Sequence, residues 1–188
     1  MTKRITISTL DAMKSSGDKF VMITAYDATF ARLASEAGAE TILVGDSLGM
    51  VLQGHETTIP VSLDAMVYHT ECVARAKPRS LIVADLPFMS FSNSDDALHA
   101  STQLMQAGAQ MVKLEGGTWL SDSINRLVER GVPVCAHLGL TPQSVNVFGG
   151  YRVQGRTPKE AKSILADAVE IQDAGASLLV LELSLIHI

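Results

Sequence analysis

Cysteine is scarce: Cys72 and Cys135 are the only two in 188 residues, and neither has CxxC or metal-ligand spacing. That excludes a disulfide-stapled scaffold and a thiolate zinc site, and it leaves two small buried hydrophobes in a reducing compartment. Basic residues are also few, 15 against 20 acidic for a net charge of −5, and they form no block. A nucleic acid or an anionic membrane surface is therefore not the expected partner. Long apolar runs are missing. The most apolar stretch, 177–188, carries Glu182 and is about half of a membrane span. The basic start MTKRITISTL has no apolar region behind it that would make a secretory signal. The dinucleotide GxGxxG and P-loop patterns are both absent, which argues against a nucleotide-binding doubly wound sheet. Together these absences point to a soluble cytoplasmic protein, and 47% hydrophobic content gives it a substantial core.

What is present is a cadence. "EAGAETILVGD", "QAGAQMVKLEG", "ERGVPVCAHLG" and "DAGASLLVLEL" each run from a helix end through glycine into an apolar strand. Gly38, Gly108, Gly131 and Gly175 fall where a left-handed residue closes a helix. Strands at 20–27 and 80–88 complete a set of six, all apolar on both faces as parallel strands covered by helices are. Between them, Asp27, Ser62, Ser94 and Ser121 are placed to open helices, Pro78 to end one, and Thr157 with Pro158 to open another. No linker divides the series, so the spacing predicts one parallel α/β domain. His69 and His99 fall on helix faces, His55 reads as a loop residue, and the eight methionines read as core filler.

Polar residues collect at the strand ends. The second strand ends at Asp46 and Ser47, and the third at Asp85. The fourth carries Lys113 and Glu115 on one face, the fifth ends at His137 and the sixth at Glu182. A lone strand-end Asp can be explained as a turn cap. An ionisable group on five consecutive strand ends fits better the mouth of a (β/α)₈ barrel, where the carboxyl ends converge. Carboxylates gathered there need a cation or a proton between them, and oxygen ligands select Mg²⁺. Lys113 and His137 supply positive charge or hydrogen bonds for an anionic substrate, and a carboxylate off the metal can act as base. That combination suggests enolate chemistry beside a carbonyl.

The motifs "ITAYD", "VGDSLGM", "QGHETTIPV", "ADLPFM", "VKLEGG", "HLGLTPQSV" and "FGGYRVQGR" closely resemble the ketopantoate hydroxymethyltransferase family, from about residue 5 to Glu182. The resemblance implies a Mg²⁺-dependent barrel of pantothenate biosynthesis, assembled as a homodecamer. It implies hydroxymethyl transfer from 5,10-methylenetetrahydrofolate to 3-methyl-2-oxobutanoate, giving 2-dehydropantoate. By the same resemblance Asp46, Asp85 and Glu115 are at the metal, and Asp46, Ser47, Asp85, Lys113 and His137 are at the keto acid. Glu182 is then the catalytic base. Residues 1–182 correspond to about six of the eight βα units, while 183–188 have no family counterpart and read as a truncation artefact. Two alternatives remain open at this point: another Mg²⁺-dependent lyase or mutase on a 2-oxo acid, and an inactive fragment. The 148–156 segment reads as a loop without an assigned role.

Overall fold

The computed structural model describes residues 4–186. Six parallel strands run in sequence order through a single sheet: β1 (Met22–Thr24), β2 (Thr41–Val44), β3 (Leu81–Asp85), β4 (Met111–Glu115), β5 (Val134–Gly139) and β6 (Leu178–Glu182). Helices cross over between them, as parallel strands require. The principal ones are α1 (Ile7–Ser16), α2 (Ala28–Glu36), α4 (Leu63–Arg75), α5 (Ser94–Gln106), α6 (Ser121–Glu129) and α8 (Pro158–Asp173). Two single turns, α3 (Leu48–Val51) and α7 (Val145–Phe148), sit just beyond strands β2 and β5. Among the described residues, β1 and β6 are the two edges of this parallel half-barrel. No described helix is long and apolar enough to cross a membrane.

The two sheet faces bury different sets. Ile42, Val44, Ile82, Ala84, Val112, Leu114, Val134 and Ala136 pack outward with helix residues such as Met66, Leu104 and Leu127. Leu81, Val83, Met111 and Cys135 face the other way and pack with Ile5 and Leu10. Helix α1 thus closes the amino ends of the strands. Alternation then forces the rest: counting by twos from this inner apolar layer reaches Asp85, Lys113, Glu115, His137 and Glu182. The inner face is apolar at one end and ionisable at the other.

Gly38, Gly108, Gly131 and Gly175 all adopt positive φ, from 80° at Gly131 to 113° at Gly108. Asp27, Ser62 and Thr157 cap α2, α4 and α8 as their sequence positions suggest, Thr157 in a reciprocal box with Glu160. Two caps differ from expectation. Asn93, not Ser94, receives the N–H groups of Asp95 and Asp96, because its longer amide reaches them while the Ser94 hydroxyl turns to Asp122 and Ser123. Ser121 opens α6 without capping it, since a 3₁₀ turn over 118–120 feeds directly into that helix.

Candidate active site

The strand register sets the site. Asp85 lies beside Lys113 across β3 and β4, Glu115 beside His137 across β4 and β5, and Gly139 beside Glu182 across β5 and β6. Asp46 and Ser47 follow β2 directly. The structure brings all seven of these sequence-derived residues other than Gly139 to one cavity of about 260 Å³. Asp46, Asp85, Lys113, Glu115 and His137 are buried, Ser47 is half-buried, and the Glu182 side chain is 42% exposed at the rim.

Lys113 is the electrostatic centre. Its Nζ pairs with Asp85 Oδ1 at 3.0 Å and lies 3.8 Å from Glu115 Oε1. Burial works to discharge the ammonium, but Asp85, Glu115 and Asp46 outweigh it and raise the Lys113 pKa. His137 Nδ1 lies 3.2 Å from both Lys113 Nζ and Glu115 Oε1. It serves one at a time, accepting from the ammonium or donating to the carboxylate. Burial and Lys113 push the imidazole pKa down, and the Glu115 and Glu182 carboxylates reverse this to a net rise. Glu182 Oε2 is 3.4 Å from His137 Nε2, close enough for attraction but not aligned as a hydrogen bond.

The two aspartates behave differently from Glu115. Burial, reinforced by Asp85, pushes Asp46 up to about 7 against the opposing charge of Lys113. Burial likewise raises Asp85, with Glu115 adding to it. Glu115 is lowered: burial would raise it, but His137, Lys113 and the backbone N–H of Gln143 prevail. Gly45 leaves room for Ser47. A Cβ there would sit 2.7 Å from Ser47 Oγ, beside the Asp85 carboxylate that accepts the Asp46 N–H at 3.1 Å.

Gln143 and Tyr26, which the sequence does not single out, bond to residues of the cavity. Gln143 donates from Nε2 to Asp46 Oδ2 and to the Leu86 carbonyl, both at 2.9 Å, and from its backbone N–H to Glu115 Oε2 at 3.0 Å. Tyr26 meets Ser47 through its hydroxyl at 3.0 Å. His69 does more than face outward on α4, since its Nδ1 bonds the Tyr26 carbonyl at 2.8 Å. His99 bonds only Gln103 on the exposed face of α5. Tyr151, from the 148–156 loop, lines the cavity and bonds Met50 Sδ at 3.4 Å.

The arrangement fits a hard divalent cation. Asp46 and Asp85 are buried side by side, and two neighbouring aspartates resist carrying charge together. Among the described residues no three His, Cys, Asp or Glu side chains form a ready-made metal cage. Two carboxylates opening onto a cavity are nevertheless a set that Mg²⁺ uses, with water and substrate oxygens completing the shell.

Comparison with known proteins identifies the family of the chain. Residues 4–187 match the family model described as ketopantoate hydroxymethyltransferase. A 3-methyl-2-oxobutanoate hydroxymethyltransferase of Burkholderia vietnamiensis is 61% identical over 178 residues, covering 95% of this chain and 66% of the relative. One of Marinobacter nauticus is 59% identical, over 95% of this chain and 67% of its own length. The chain thus spans about two thirds of the curated relatives it matches. Among solved structures, a phosphonopyruvate hydrolase in complex with oxalate and Mg²⁺ superposes with a TM-score of 0.71 at 16% identity, over 94% of this chain and 62% of that one. A 2,3-dimethylmalate lyase superposes at 0.66 with 18% identity, over 94% and 62%. At such identities the likeness is one of fold.

Proposed function

The chain belongs to the ketopantoate hydroxymethyltransferase family, and from that premise we propose that its site adds a hydroxymethyl group to C3 of 3-methyl-2-oxobutanoate. The product is 2-dehydropantoate and the one-carbon donor is 5,10-methylenetetrahydrofolate. On this reading β1 to β6 are the first six strands of a (β/α)₈ barrel. One observation carries the proposal: the ionisable ends of β3 to β6, with Asp46 and Ser47 after β2, line one cavity around the buried Lys113 ammonium.

Asp46 and Asp85 would hold Mg²⁺, with Glu115 joining directly or through water. When bound, the ion supplies Lewis acidity toward the keto oxygen of the 2-oxo acid. Lys113 offsets the negative charge of the substrate from a position fixed by Asp85 and Glu115. Ser47, held by Tyr26, offers its hydroxyl to the substrate. Glu182 stands at the more open rim, where it can take the C3 proton and leave an enolate. His137, between Glu115 and Glu182, holds the base's side of the cavity. Water adds to the one-carbon unit as its C–N bonds to the folate break, and tetrahydrofolate leaves. The enolate carbon bonds to the formaldehyde-level carbon so released, and the new oxygen takes up the proton that Glu182 removed from C3.

Calorimetry checks the metal assignment. Asp46→Ala and Asp85→Ala should each weaken Mg²⁺ binding by more than tenfold, since even outer-shell partners contribute ~10–100-fold. Both variants should lose turnover. Unchanged Mg²⁺ affinity in both would remove these aspartates from the metal site.

A further inference from the structure

A second cleft opens beside the ionisable cavity and shares a wall with it. Glu115 lines both. This second space is about 140 Å³, and apart from Glu115 its walls are Phe88, Met89, Phe91 and Trp119, with Ser92, Gln143 and Ser144 as the other polar residues. None of the aromatic residues enters the mechanism above.

Trp119 is the only tryptophan in the chain, and it is 62% exposed. Its placement is nonetheless fixed. The indole lies against Gly116, where an added Cβ would come within 2.7 Å of three ring atoms. It stacks on Phe91 with ring centroids 6.0 Å apart and planes 16° from parallel. The turn that carries it is tied to α8, because Asp167 accepts from the Thr118 N–H at 2.9 Å and from its hydroxyl at 2.6 Å. On the opposite lip, Phe88 is 40% exposed and Met89, held at φ 62°, is 61% exposed. A large apolar surface held rigid while facing water is a binding surface waiting for a flat partner. Its shared wall with the reacting cavity at Glu115, and the bond from Gln143 to Asp46 on the cavity side, make that partner a second substrate rather than a protein.

We propose that this cleft receives the flat fused heteroaromatic ring of the one-carbon donor, stacked on Trp119, so that the transferable carbon faces the cavity across Glu115. The inference rests on the hydroxymethyl-transfer reading and adds to it the place of the second substrate. Gln143 and Ser144 then lie where the polar edge of such a ring needs hydrogen-bond partners.

Two activities of the protein separate the cleft from the cavity. Exchange of the C3 proton of 3-methyl-2-oxobutanoate in D₂O needs no donor, whereas hydroxymethyl transfer does. Trp119→Ala should raise the KM for 5,10-methylenetetrahydrofolate about 10- to 100-fold, the range expected for losing one stacked ring. The exchange rate and the KM for the 2-oxo acid should stay within about twofold, inside the scatter of such comparisons. Trp119→Phe should recover most of the donor affinity. An unchanged donor KM in Trp119→Ala overturns the proposal, and so does an equal loss of exchange and transfer. If the wild-type protein neither exchanges nor transfers, the underlying reading fails instead, and the variants are not what decides it.

Discussion

Lys113→Met should cost about 3–5 kcal/mol of stability near pH 8, the range for breaking a buried ion pair by removing one partner, and should abolish turnover. Methionine fills the space but leaves Asp85, Glu115 and Asp46 buried without the ammonium that pairs with them. The loss should depend on pH. Asp46 already has a folded pKa of about 7 against an ordinary 3.8, so the native state keeps a proton that the unfolded chain releases. Stability contributed by that proton is present below the ordinary value and is lost as pH rises toward 7. Lys113 is the charge that opposes the rise at both Asp46 and Asp85, so without it the carboxylates hold their protons still higher. Urea unfolding in EDTA should therefore show a much smaller deficit at pH 5 than at pH 8. Equal deficits at the two pH values would mean that Lys113 is not neutralising this cluster.

Glu182→Gln should reduce hydroxymethyl transfer by ~10²–10⁴-fold, the usual contribution of a positioned general base, with the affinity for 3-methyl-2-oxobutanoate nearly unchanged. The substitution keeps size and strand pairing, since Glu182 sits opposite Gly139 at the end of β6. It removes only the charge that faces His137. Asp46, Asp85 and Lys113, which would bind metal and substrate, are left as they are. Steady-state kinetics with calorimetric binding separates the two effects. A kcat within tenfold of wild type would move the base to another residue.

Much of this site can be read from the chain because strand parity is a local property. Lys113 and Glu115 are two residues apart, so they share a face whatever surrounds them. The glycines at 38, 108, 131 and 175 mark where each helix ends and so where the next strand must start. Parallel register then lines up the strand ends without further information. What could not be read depends on contacts between distant positions. Gln143 reaches back 97 residues to Asp46 and ties it to Glu115, yet in the sequence it is one polar residue after a proline. The link from His69 through Tyr26 to Ser47 joins three elements and leaves no periodic trace. Helix α1 is similar. Ile5 and Leu10 become meaningful only once the inner layer of Leu81, Val83 and Met111 exists for them to close. The Asn93 cap shows the local limit: two adjacent capping residues compete, and the neighbouring helix decides which one is free to serve.

The central claim is that these strand ends form a site for removing the C3 proton of a 2-oxo acid. The most direct measurement is ¹H NMR of 3-methyl-2-oxobutanoate in D₂O with the wild-type protein and Mg²⁺, with no one-carbon donor present. The expected result is catalysed loss of the C3 proton signal, abolished by EDTA and absent in Glu182→Gln. A wild-type protein that binds the keto acid and Mg²⁺ but leaves the C3 proton in place would contradict it.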